Sequence, residues 1–130
     1  MLLATMVAAI LLAACTSPTT GVPSSLRAQK TTIGGLQVTA TPTRLDSGGA
    51  AFTIAFDTHT GAPGIDIAAS ATLRVDGTAW SNPQWDGAGP GGHHRSGTLR
   101  FTPAGPARGI ATLSITGLDR PVELTWQLTS

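Results

Sequence analysis

Apolar residues recur at every second position in short runs, and Gly, Pro or Asp-Gly interrupts each run after a few residues. Leu36, Val38 and Ala40 alternate in the first run, Phe52, Ile54 and Phe56 in the second, and Ala71, Leu73 and Val75 in the third. Asp76-Gly77 closes the third run with a hairpin signal, and a short fourth run surrounds Ala79-Trp80. Leu99 and Phe101 mark a fifth, Ala111, Leu113 and Ile115 a sixth, and Val122, Leu124, Trp126 and Leu128 a seventh. Thr fills many of the alternate positions, as suits a sheet with one wet face. No long stretch keeps a helical period without Gly or Pro, so a helix bundle is excluded. About seven short strands in about 100 residues predict an all-β domain, an immunoglobulin-like two-sheet sandwich. The antibody-type Cys pair is absent, so that likeness is one of architecture. A small barrel is the alternative.

The 130 residues allow one such domain. Eight Lys and Arg against seven Asp and Glu leave a net charge of +1. No basic excess is available to neutralise many phosphates, which argues against nucleic acid as a partner. A single Cys excludes an intrachain disulfide and any Cys-x-x-Cys metal or redox site.

Leu2 to Ala14 carries no charge and is nearly all Leu, Ala, Met, Val and Ile. It is short of the about 20 residues a spanning helix needs, but suits the apolar part of a secretory signal. The run ends in Leu12-Ala13-Ala14-Cys15, which resembles the lipobox of bacterial lipoproteins. The resemblance implies cleavage before Cys15, lipid on its thiol, and a membrane anchor in the cell envelope that faces the periplasm or the exterior. Residues 1–14 are then a signal peptide, 15–32 the lipidated Cys with a Ser-, Thr- and Pro-rich tether, and 33–130 the folded domain. Met1 and Met6 leave with the signal, so no thioether ligand for Cu(I) remains.

The polar residues that stand out are His59, His93 and His94. His59 follows the second run, and His93-His94 precede the fifth. Counting chain reversals puts both segments, and the turn 117–121, at one pole of an up-and-down fold. Asp57, Asp66, Asp86 and Asp119 fall in the same loops or at their edges. Imidazole and carboxylate are the groups that Zn²⁺ or Cu(II) takes. His59, His93 and His94 with Asp57 are therefore candidate metal ligands. Successive strand residues face opposite ways, so His93 and His94 share one ion only where the Gly-rich chain before them turns. The alternative is that imidazoles and aspartates cross-link the loops without any metal.

Asp57-Thr58-His59, Asp66, Trp85-Asp86-Gly87 and Gly91-Gly92-His93-His94-Arg95-Ser96-Gly97 together resemble a pattern in uncharacterised bacterial envelope proteins with a single β-sandwich domain. The resemblance implies a site at this pole and no particular reaction. Trp85 lies in a long segment, 82–95, that reads as a loop, and long loops often carry function. An exposed Trp there would stack on a sugar or anchor a protein; otherwise it covers the end of the core. Trp80 and Trp126 sit on strand patterns and are expected in the core. Arg95 is expected to pair with Asp86 or Asp66 and brace the loop.

Other patterns fail on context. Gly87-Ala88-Gly89-Pro90-Gly91-Gly92 matches a dinucleotide fingerprint by letters, but no strand–helix unit surrounds it. Asp46-Ser47-Gly48-Gly49 reads as a hairpin turn, not as a nucleophile loop. The lone Glu, Glu123, has no evident carboxylate partner for acid–base work. The expectation is a non-enzymatic, lipid-anchored binding module whose pole (57–66, 82–95 and 117–121) takes a metal ion or an envelope protein partner. A structural or assembly lipoprotein is the alternative, and a metal-dependent hydrolase a distant third.

Overall fold

The computed structural model describes residues 26–128. The signal segment, Cys15 and most of the tether lie outside the described residues. Eight strands follow one another: β1 (Gln29–Ile33), β2 (Leu36–Asp46), β3 (Gly49–Thr58), β4 (Ala71–Val75), β5 (Thr78–Gly87), β6 (His94–Thr102), β7 (Gly109–Ile115) and β8 (Val122–Leu128). One helical turn, α1 (Ile67–Ser70), precedes β4. All pairings are antiparallel, in the order β1-β2-β3-β6-β5-β4-β7-β8.

The all-β expectation holds. Among the described residues there are eight strands where the sequence predicts about seven, and they follow one continuous hydrogen-bonded order that nearly closes into a barrel, the alternative architecture that the sequence offered. The extra strand is β1, which begins inside the segment read as tether. The continuity comes from β5. Its first residues pair with β4, Leu73 opposite Trp80, and its last pair with β6, Gly87 opposite Gly97. Between Ser81 and Gln84 the register slips, and Asn82 takes a left-handed φ of 54°. Such a bulge bends a strand and increases its twist. The sheet therefore folds over itself at β5, and its end strands come together, nearly closing a barrel. The Trp126 indole N–H on β8 donates to the carbonyl of Arg27, just before β1, at 2.7 Å.

The alternating residues fill the space inside. Val38, Phe52, Ile54, Phe56, Leu73, Val75, Leu99, Leu113, Ile115, Val122 and Trp126 are buried. Phe52 meets Phe101 edge to face at 6.4 Å and Trp126 at 5.2 Å, which links strands from both arms of the order. Trp80 is buried as expected, although its indole N–H has no partner among the described residues. The turn Asp46–Gly49 is the hairpin the sequence indicates. The Gly48 N–H (2.8 Å) and the Arg44 guanidinium (3.0 Å) donate to Asp46 and hold its carboxyl below its usual range. That small support is present above the usual carboxylate pKa and fades as acid protonates the group.

Gly87 and Gly97 face each other across β5 and β6, and the Trp85 ring lies over both. A methyl group on Gly97 would sit 2.6 Å from Gly87 Cα and 2.8 Å from the indole. Gly97→Ala is expected to lower unfolding stability by about 1–3 kcal/mol, the usual cost of overpacking. A urea midpoint equal to the parent's would contradict this packing.

Candidate functional site

Register and parity build the floor of the polar end. Thr32 is opposite Gln37, Gln37 opposite Asp57, and Asp57 opposite His94, so one row crosses β1, β2, β3 and β6. Val38, Phe56 and Arg95 take the inward positions next to the row, so the row itself lies on the outer face. Thr58 and His59, at the end of β3, and His93, just before β6, form the rim. Together with Gly35 these residues line an open depression of about 630 Å³. His59, His93, His94 and Asp57 thus meet at one end of the fold.

Two of the imidazoles are held from behind. His93 Nδ1 lies 3.1 Å from the Thr58 carbonyl, and the Thr58 N–H donates to the His93 carbonyl at 3.0 Å. His94 Nδ1 is hydrogen-bonded to Asp57 Oδ1. The His94 side chain is 82% exposed, so this pair contributes little to stability. Among the described residues, no group of three His, Cys, Asp or Glu side chains is placed to hold a metal ion.

A second depression, about 260 Å³, adjoins the first through Thr58 and reaches Ile65, Gly117 and Asp119. The turn 117–121 therefore shares this pole. The segment 82–95 is shorter as a loop than its sequence suggests. β5 runs through Gly87 and β6 starts at His94, which leaves 88–93. Trp85 and Asp86 are strand residues as a result. Asp86 lies on the outer face beside Arg100, at 3.7 Å, with both side chains largely exposed. Asp66 caps α1, its Oδ1 accepting from the Ala69 N–H at 3.2 Å. Neither carboxylate lines the depression.

Arg95 differs most from expectation. Its residue is only 3% exposed, and it bonds to neither Asp86 nor Asp66. Nε donates to the Ala88 carbonyl at 2.9 Å, and Nη1 to the carbonyls of Pro63 (3.0 Å) and Ile65 (2.7 Å). Trp85 lies beneath the guanidinium, 5.8 Å from its ring centroid, and donates its own N–H to the Ala88 carbonyl at 3.1 Å. The planar, multi-donor head can serve several carbonyls at once. It ties the 59–66 connection to the 88–93 loop. A backbone bond from the Ala62 N–H to the Gly92 carbonyl makes a second tie. Trp85 and Arg95 thus frame the loops beneath the site. Gln37 and Thr32 join the site without notice from the sequence, because Thr and Gln on an outer strand face carry no distinguishing signal.

No protein-family model, curated protein or solved structure matches the chain. Its chemistry rests on the geometry above.

Replacing Arg95 tests the frame. In Arg95→Lys a single ammonium cannot reach carbonyls on both loops, so stability should fall by about 1–3 kcal/mol, the cost of stranded polar groups. Amide hydrogen exchange should rise in 59–66 and 88–93 and stay unchanged in β7 and β8. Uniform exchange across the sheet would mean that Arg95 does not act through these loops.

Proposed function

We propose that this chain is a lipid-anchored binding module of the bacterial cell envelope, with no catalytic role, that takes a divalent metal ion or a protein partner at its histidine pole. The observation that carries the reading is the shared depression lined by His59, His93, His94 and Asp57. Three imidazoles within a chain of 130 residues gather at one end of the fold. Neutral imidazole binds Zn²⁺ and Cu(II) well. The anchoring part rests on Leu12-Ala13-Ala14-Cys15 and its resemblance to a lipobox.

Calorimetric titration tests the binding part. The parent should take up Zn²⁺ or Cu(II) at micromolar concentration, and His59→Ala, His93→Ala and His94→Ala combined should abolish uptake. No heat of binding in the parent would end the metal reading. Mass spectrometry of the full chain from bacterial membranes tests the anchor. A diacylglyceryl mass on Cys15, lost with release from the membrane in Cys15→Ser, is the expected result.

A structural or assembly lipoprotein is the second reading, favoured by the carbonyl ties of Arg95 and by the hydrogen bonds of His93 and His94. On that reading the triple His variant loses stability, while binding to an envelope partner survives.

A further inference from the structure

If the pole takes a metal ion, as proposed above, hydrogen bonds already present determine which atoms would meet it. We infer that His93 and His94 form a two-imidazole half-site that binds Zn²⁺ or Cu(II) through their Nε2 atoms, with Asp57 as a positioning carboxylate and not a ligand.

The assignment follows from which groups can donate. His93 Nδ1 faces the Thr58 carbonyl, and His94 Nδ1 faces the Asp57 carboxylate. A carbonyl and an ionised carboxylate only accept hydrogen bonds, so both Nδ1 atoms carry the proton. A neutral imidazole has one N–H, which leaves the lone pair on Nε2 in both rings. A histidine that binds metal through one nitrogen and donates from the other to a carboxylate or carbonyl is the usual arrangement at metal sites. Here both rings have it.

The chain path lets the two neighbours act together. Successive residues within a strand point to opposite faces. His93 precedes β6, and Gly91 and Gly92, with φ of 113° and 78°, turn the backbone directly before it. His93 is thus released from strand alternation, while His94 keeps its outward position opposite Asp57. Both rings line the same depression. Among the described residues no group of three His, Cys, Asp or Glu is placed to hold an ion, so the assignment is to a pair, and His93 and His94 are the rings whose Nδ1 is already engaged by an acceptor. A tetrahedral ion takes four ligands, and two imidazoles supply half of them. The remaining positions go to water or to groups from outside this chain.

The test uses three measurements on the folded protein. Nitrogen-15 NMR of the metal-free chain should show Nδ1–H in both His93 and His94. Pulsed EPR with Cu(II) should count two imidazoles in the parent, two in Asp57→Asn, two in His59→Ala and one in His94→Ala. Calorimetry should find Asp57→Asn weakened about 10–100-fold, as for loss of a partner behind a ligand. His94 is a surface residue, so its truncation leaves the fold intact. Metal uptake with Nε2–H rings, or with a carboxylate in place of one imidazole, would overturn this assignment and leave the metal reading standing. Failure of the parent to bind either ion would overturn both.

Discussion

A guanidinium removed from water and served by peptide carbonyls holds the polar end together. Arg95 occupies a core-facing position of β6, opposite Phe56, where an apolar side chain would be expected. Burying a charge is costly unless it is hydrogen-bonded. Here the carbonyls of Pro63, Ile65 and Ala88 receive its donors, and the Trp85 face lies below it. Those carbonyls lie in the connections 59–66 and 88–93, outside the strands. One side chain thus satisfies two loops at once and keeps them in register with the strand that carries His94. The histidine pole owes its shape to a residue that takes no part in its surface.

The bend in β5 matters as much on a larger scale. Without the slip between Ser81 and Gln84, the eight strands would form a long open sheet with the apolar rows facing water. With it, Phe52 from one arm packs on Trp126 from the other. The close glycine pair, Gly87 and Gly97, lets the last part of β5 lie tight against β6 under the Trp85 ring. That ring is also the floor for Arg95. Sheet closure and loop anchoring therefore share one aromatic side chain.

Much of the sheet was legible in the alternation of apolar residues, because burial on one face imposes a period of two. β2, β3, β4, β6, β7 and β8 each carry that signal. β1 does not: Gln29, Lys30, Thr31 and Thr32 offer no apolar partner to Ile33, and pairing with β2 alone makes them a strand. The Gly34-Gly35 turn was the available clue. The second part of β5 was hidden for a similar reason, since Asn82, Gln84 and Asp86 are exposed and only its ladder with β6 defines it. The meeting of His59, His93 and His94 could be read by counting chain reversals, a topological quantity. The partners of Arg95 could not, because backbone carbonyls have no letter in a sequence.

The direction of β1 has a geometric consequence. The strand climbs toward the imidazoles and turns at Gly34-Gly35, so the segment before it departs from lower on the body, clasped by the indole of Trp126. Four residue steps of about 3.4 Å put that exit on the order of 14 Å below the rim. β8 runs the opposite way and ends at the same lower level as β1 begins. The exposed rings of His59, His93 and His94 therefore stand at the opposite end of the body from the start of β1, turned outward like a lamp on a post.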